Sequence, residues 1–361
     1  MHDPLFQPLQ LGAIQAPNRV LMAPLTRGRA TPQSVPTEIM VEYYRQRASA
    51  GLIISEATGI SREGLGWPFA PGIWNDEQVA GWRKVTDAVH DAGGRIVLQL
   101  WHMGRLVHSD LGGAPPVSAS ATTAPGQAHT YEGKKDYEES RALSTSDIAR
   151  VVADYRHAAS MAKDAGFDGV QLHGANGYLI DQFLRRSSNL RTDAYGGSAE
   201  NRSRLLAEVL EQLVDVWGKE RVSLRLSPNG ETQGCDDPDP AETFGAAAKV
   251  AQAAGISFLE LRQPGAKGTF GRTDVPQQDG LIRTLFTGPL VLNSDYTAEG
   301  AAQDIASGRC DAVTFGRPFI SNPDLPARIR VGAELAPNKD VPQSWYLPGS
   351  AGYIDYPTLD T

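Results

Sequence analysis

A short stretch, His173-Gly174-Ala175-Asn176-Gly177-Tyr178, holds three side chains that could act on one substrate. An imidazole and an amide can each donate a hydrogen bond to a single oxygen, and a phenol two residues on can serve as a proton donor. Two donors on a carbonyl or nitro oxygen would polarise an electron-poor bond, and the acid would protonate the neighbouring carbon. Taken one at a time, a packed His, a turn-forming Asn-Gly pair and a core Tyr explain the same residues. The chemical reading needs an element that turns all three toward one space.

The surrounding chain repeats one pattern: a helix-period stretch closes on Gly, and a short aliphatic run follows. Ala92-Gly93-Gly94, Ala165-Gly166, Ala254-Gly255 and Ser307-Gly308 each mark such a junction, where Gly supplies the left-handed cap residue. Val79, Trp82, Val85 and Val89 keep helical spacing, as do Ile148, Val151, Val152, Tyr155, Ala159 and Ala162, and the set Leu205, Leu206, Val209, Leu210, Leu213 and Val216. Asn75 and Ser198 are candidate N-caps. Strand candidates are 19–23, 52–56, 95–100, 168–172, 222–226, 256–261, 290–292 and 311–315. Short apolar strands alternating with helices read as a parallel sheet covered on both faces. Eight repeats favour a closed barrel over an open sheet, and no G-x-G-x-x-G follows a strand. The expected fold class is α/β: a single (β/α)8 TIM barrel over residues 1–361, with an N-terminal hairpin. A Pro-, Ser- and Ala-rich insertion over 108–145, after the third strand, is expected to cap the site. The tail from Pro337, with Trp345, Tyr346, Tyr353 and Tyr356, reads as an ordered wrap.

In such a barrel, catalytic groups collect at the C-terminal ends of the strands. In strand order those positions carry Pro24-Leu25-Thr26, Ala57-Thr58, Gln99 with Trp101-His102, His173 with Asn176, Arg225, Arg262, Asn293-Ser294-Asp295 and Gly316-Arg317. An inward Arg225 calls for an anionic or strongly polar partner. Either a flavin ring edge, where negative charge grows on reduction, or a barrel carboxylate such as Glu56 or Glu260 would serve. The loops after the seventh and eighth strands often hold phosphate in these barrels, through backbone N–H groups and one Arg.

These residues closely resemble the Old Yellow Enzyme family of flavin-dependent ene-reductases. The likeness runs from Pro17-Asn18-Arg19-Val20-Leu21-Met22-Ala23-Pro24-Leu25-Thr26-Arg27 through Gln99-Leu100-Trp101-His102-Met103-Gly104-Arg105. It is densest from His173 to Arg202 and closes at Phe315-Gly316-Arg317-Pro318. The resemblance implies noncovalent FMN at the top of the barrel. It places Pro24, Leu25 and Thr26 at one edge of the flavin and Ala57, Gln99 and Arg225 at its pyrimidine part. Ser294, Asp295, Gly316 and Arg317 would lie at its phosphate. It makes His173 and Asn176 the clamp for the substrate oxygen and Tyr178 the proton donor, with Trp67, Trp101 and Tyr353 on the substrate side. It also implies two half-reactions in one cavity: NADPH or NADH reduces FMN, and an activated alkene (an enone, enal, maleimide or nitroalkene) then takes hydride at its β-carbon and a proton from Tyr178. A nitroester or nitroaromatic reductase would use the same groups. Trp67 stands where many relatives carry Tyr, and Asn293-Ser294-Asp295 replaces a Gly-rich loop, so a carboxylate falls beside the expected phosphate.

Composition narrows the remaining classes. The net charge of −8 argues against nucleic acid or an anionic membrane as the main partner. No run approaches the length of a membrane span, and Met1-His2-Asp3-Pro4 does not begin a signal peptide, so a cytoplasmic monomer or homodimer is expected. Cys235 and Cys310 read as two free thiols, with no metal site implied. An aldolase- or isomerase-like barrel would place a Lys or a carboxylate pair at a strand end, and neither is found.

Overall fold

A computed structural model describes residues 3–268, 271–337, 345–346 and 348–359. Among them, eight parallel strands close into a barrel: β1 (Val20–Met22), β2 (Ile53–Ile54), β3 (Ile96–Trp101), β4 (Gly169–Gly174), β5 (Val222–Leu226), β6 (Phe258–Arg262), β7 (Leu290–Asn293) and β8 (Ala312–Phe315). Each strand pairs with its sequence neighbour, and β8 returns to β1. Val170, Leu172, Leu224 and Leu259 are fully buried, as strands covered on both faces require. Helices α1 (Glu38–Gln46), α2 (Asp76–Asp91), α3 (Thr145–Asp164), α4 (Arg204–Trp217), α5 (Pro240–Ala254), α6 (Asp279–Leu285) and α7 (Ala298–Ala306) form the outer layer. Asn75 caps α2 by accepting from the Gln78 N–H. Ser198 caps a separate short helix, Ala199–Arg202, just before α4. A two-stranded hairpin, Leu9–Leu11 with Ile14–Ala16, precedes the barrel.

Two of the boundaries that differ from the sequence reading bear on the site. The second strand is shorter than expected: after Ile54 the chain leaves the ladder and rejoins β3 at Thr58–Gly59. The break leaves Glu56 free of strand pairing, and its Oε2 accepts from the backbone N–H groups of Arg27 and Gly28 at 3.1 and 3.4 Å. The fourth strand runs two residues further than expected, so His173 lies within β4, paired in register with Arg225 of β5.

The insertion over 108–145 carries its own structure. Val117–Ser118 pairs in parallel with Arg141–Ala142, and Gln127–Thr130 forms a hairpin with Gly133–Asp136. It is tied to the barrel by side chains that reach its backbone: Arg191 donates to the Ala119 and Leu143 carbonyls at 3.0 and 2.6 Å. Cys235 and Cys310 are both free and buried. No helix among the described residues is long and apolar enough to cross a membrane.

Glu56 is buried, accepts from the Tyr44 hydroxyl as well, and fixes the loop that follows β1. Removing it leaves the Arg27 and Gly28 donors without an acceptor, at about 1–3 kcal/mol for each unmet group. Glu56→Ala is therefore expected to lower the urea midpoint without changing the slope of the transition. An unchanged midpoint would show that the loop is held by other means.

Candidate active site

A cavity of about 670 Å³ opens at the C-terminal ends of the strands. Its wall brings together Pro24, Leu25 and Thr26 after β1, Trp101 at the end of β3, and Asn176 and Tyr178 after β4. Arg225 and Arg262 follow at the ends of β5 and β6, with Ser294, Asp295, Gly316 and Arg317 from the loops after β7 and β8. Trp67, Trp345 and Tyr346 add an aromatic rim.

His173 stands beside this wall, buried against two lining rings. Its imidazole meets the Tyr178 ring edge-on at 4.9 Å and stacks toward Trp101 at 6.5 Å, and Trp101 meets Tyr178 edge-on at 5.0 Å. Burial holds the imidazole pKa well below its ordinary value, and the Arg225 and Arg262 charges push it the same way. His173 is thus neutral near pH 7. Its Nδ1 accepts from the Ala175 N–H at 3.4 Å, which leaves Nε2–H as its donor.

The turn after β4 is held by buried polar groups. Asn176 adopts a left-handed backbone, φ 61°, which Asn tolerates better than most residues. Its N–H donates to Ser227 Oγ at 2.8 Å, and its carbonyl accepts from Gln233 Nε2 at 2.9 Å. Gly177 has φ 77°, and a Cβ there would lie 2.7 Å from the Thr232 carbonyl, so only Gly fits. The Gly177 N–H donates to Asp181 Oδ2, its carbonyl accepts from Gln182 Nε2, and Asp181 forms a buried ion pair with Arg185 at 2.9 Å. Tyr178 follows, its phenol pKa pushed well above the ordinary value by burial, against an opposing hydrogen bond from Gln233. It therefore stays protonated across neutral and mildly alkaline pH.

Arg225 has the barrel carboxylate that one sequence reading called for, and it also faces the cavity. It lines the cavity, and its Nε lies 3.6 Å from Glu260 Oε1 while Nη2 donates to Asn293 Oδ1 at 2.9 Å. Glu56, the other carboxylate considered, belongs to the loop after β1. Gln99 is buried below the wall, its Nε2 donating to Gln171 Oε1 at 2.8 Å. Ala57 packs in one cluster with Leu65, Trp101 and Met103, and Trp67 and Tyr137 lie against that cluster. Ser294 and Asp295 have φ 130° and 50°, a backbone that L residues rarely adopt, and the Asp295 carboxylate is ion-paired with Arg317.

Tyr353 is not brought to this wall. It is fully buried in the tail, stacked on Tyr43 at 4.1 Å beneath the guanidinium groups of Arg27 and Arg29. His102 also turns away, its Nε2 3.8 Å from Glu63. The tail contributes Trp345 and Tyr346 instead, and the insertion reaches the rim through His129, whose ring lies 4.5 Å from Trp67. Tyr131 packs edge-on against Phe69. The sequence reading missed Asp181, Gln182, Arg185, Ser227 and Gln233, whose service to the turn depends on contacts invisible in one dimension.

The NADH:flavin oxidoreductase / NADH oxidase family model matches residues 4–336. The chain belongs to this family, the Old Yellow Enzyme group of flavin oxidoreductases. It is similar to an old yellow enzyme homologue from Zymomonas mobilis, with 58% identity over 98% of this chain and 99% of that one, at a TM-score of 0.96. A structure of morphinone reductase in complex with tetrahydroNAD shares 45% identity over 99% of this chain and 98% of that chain, at a TM-score of 0.91. A probable flavin mononucleotide-dependent alkene reductase from Leishmania infantum is 43% identical over 99% of this chain and 98% of its own length.

The flavin that an Old Yellow Enzyme carries suits this cavity. Arg225 Nε and Asn176 Oδ1 are buried polar atoms on cavity-lining residues with no hydrogen-bond partner among the described residues. Unmet buried polar groups at a cavity wall are what a polar-edged ligand would satisfy.

Two outcomes follow. Arg185→Met leaves Asp181 buried and unpaired beneath the turn, and a loss of about 3–5 kcal/mol in unfolding free energy is expected by urea denaturation; a change within error would remove Asp181–Arg185 as the support of the turn. Because the His173 pKa is lowered, protonation begins only below the ordinary imidazole range, so affinity for a carbonyl ligand should be flat from about pH 6.5 to 9. A titration centred near the ordinary value that disappears in His173→Asn would contradict a neutral imidazole.

Proposed function

We propose that this chain is an FMN-dependent NAD(P)H alkene reductase, with His173 and Asn176 holding the activating oxygen of the substrate and Tyr178 supplying the proton. The observation that carries this reading is the convergence of a neutral His donor, an Asn and a protonated phenol on one cavity with Arg225.

Bound FMN would supply the two-electron chemistry, accepting hydride from NADPH or NADH and passing it to the substrate β-carbon. Pro24, Leu25, Thr26 and Ala57 would border the ring, with Gln99 and Arg225 at its pyrimidine part. Ser294, Asp295, Gly316 and Arg317 would receive the phosphate. Asp295 is ion-paired with Arg317, so a phosphate there would share that Arg, with backbone N–H groups as the main donors.

The clamp acts by electrostatics. His173 Nε2–H and the Asn176 amide would donate to a carbonyl or nitro oxygen, stabilising the negative charge that grows there as the β-carbon is reduced. A neutral imidazole suits this task, because it donates without surrendering its proton. Tyr178, kept protonated by burial, would then deliver a proton to the α-carbon, a general-acid step worth typically about 10²–10⁴-fold in rate. Trp67 and Trp101 would flank the substrate and exclude water from the reacting bond. The aromatic rim favours neutral, flat enones, maleimides and nitroalkenes. We further propose that the chain folds as one domain, with the 108–145 segment covering the mouth through His129.

Purified protein should be yellow, and a reduced nicotinamide should bleach it anaerobically. Protein that is colourless and takes up no added FMN would sink the proposal. Tyr178→Phe should leave the bleaching rate near wild type and slow reoxidation by an enone at least about 100-fold. Equal slowing of both half-reactions would contradict the proton-donor role. Since the Tyr178 pKa is raised, the enone step should also show no alkaline fall up to about pH 10, the ordinary phenol value.

A further inference from the structure

We propose that Glu260 is a positioning residue for the cofactor-binding groups. From inside the barrel it orients Arg225 and offsets its charge, and through Gln171 it sets the orientation in which the Gln99 amide meets the cofactor. The inference rests on the reading of the cavity as an FMN site.

Glu260 lies on β6 with no exposure to solvent. Its Oε2 accepts from Gln171 Nε2 at 3.0 Å, its Oε1 accepts from Thr314 Oγ1 at 2.7 Å, and Arg225 Nε lies 3.6 Å from the same Oε1. Each of these partners can donate to the carboxylate, and Arg225 faces it as a cation. A carboxylate can only accept, so it fixes the direction of the chain of bonds leading away from it. Gln171 must turn its Nε2 toward Glu260, which presents its Oε1 to Gln99. That oxygen accepts from Gln99 Nε2 at 2.8 Å. One N–H of the Gln99 amide is thereby committed, which fixes its orientation and leaves its carbonyl and its second N–H to a ligand. One charge on β6 thus sets the polarity of a side chain on β3, across β4.

The same carboxylate balances Arg225. Arg225 and Glu260 are paired in register on β5 and β6, and both are buried. At 3.6 Å their interaction is a charge contact rather than a hydrogen bond, and burial leaves it poorly screened by salt. Asn293 holds the other side of the guanidinium, accepting from Nη2 while its own Nδ2 donates to the Thr314 carbonyl at 2.9 Å. Arg225 therefore meets the cavity as a held and partly neutralised cation. Reduction adds electron density to a flavin ring, so an unbalanced Arg225 would favour the reduced form more than the balanced pair does.

The decisive experiment is the two-electron midpoint potential of bound FMN, measured by equilibration with redox dyes. Glu260→Gln keeps the shape and removes the charge. The expected result is a more positive potential, by at least a tenfold change in the ratio of reduced to oxidised flavin, about 30 mV. Retained FMN affinity is expected with it, because an anionic cofactor loses a like charge nearby. A folded Glu260→Gln protein with an unshifted potential, or one that no longer takes up FMN, overturns the proposal. Gln171→Leu keeps the carboxylate and cuts the relay. It should weaken FMN binding about tenfold while moving the potential less than Glu260→Gln does; unchanged FMN affinity overturns the relay even if Glu260→Gln proves insoluble. Wild-type protein that binds no FMN would instead remove the cofactor reading itself, so the two failures are distinguishable.

Discussion

A guanidinium buried at the mouth of a barrel must be compensated, and much of the upper barrel is arranged around that of Arg225. Burying an unpaired ion costs several kcal/mol. Here Glu260 supplies the countercharge, Asn293 a hydrogen bond to the guanidinium, and Thr314 and Gln171 hydrogen bonds to the carboxylate. The register makes this possible, because His173 sits opposite Arg225, and Arg225 opposite Glu260, on adjacent parallel strands. The same charge helps keep His173 neutral. One buried cation thereby links the Glu260 network of β6 to the protonation state of His173 on β4.

The second organising constraint is the turn from Gly174 to Tyr178. A left-handed Asn followed by a left-handed Gly brings three side chains of different chemistry to one wall within six residues. Such a backbone persists only when its surroundings over-determine it. Ser227, Asp181, Gln182 and Gln233 each take one of its backbone groups, and Arg185 neutralises Asp181 beneath it. The aromatic rim works differently. Trp67 is packed between His129 of the insertion and Tyr346 of the tail, so two segments outside the repeat shape the mouth.

The barrel was legible in the sequence because its signals are local: short apolar runs mark all eight strands, and a Gly-closed junction precedes four of them. His173, Arg225 and Arg262 were legible because a polar residue closing an apolar run has few explanations. Glu260 was foreseen only as one of two carboxylates that could pair with Arg225, and the roles of Gln171 and Arg185 were not legible, because a buried polar residue within a strand or helix shows no partner until register is known. Gln99 meets Gln171 only because β3 pairs with β4 at that offset. Tyr353 illustrates the opposite failure: a tail aromatic looks the same in sequence whether it faces a cavity or, as here, stacks on Tyr43. The carboxylate at Asp295 was visible, but its pairing with Arg317 depends on how the loops after β7 and β8 approach each other.

The central claim is that His173 and Asn176 act on one oxygen. It is tested most directly by a double-mutant cycle on the affinity of oxidised, FMN-loaded protein for a carbonyl ligand, read from the flavin spectrum. Each of His173→Ala and Asn176→Ala should weaken binding roughly tenfold to a hundredfold, about 1.4–3 kcal/mol. The double variant should lose less than the sum, because the two donors share an acceptor. Single variants that bind the ligand as tightly as wild type, or losses that add in full, would contradict the clamp.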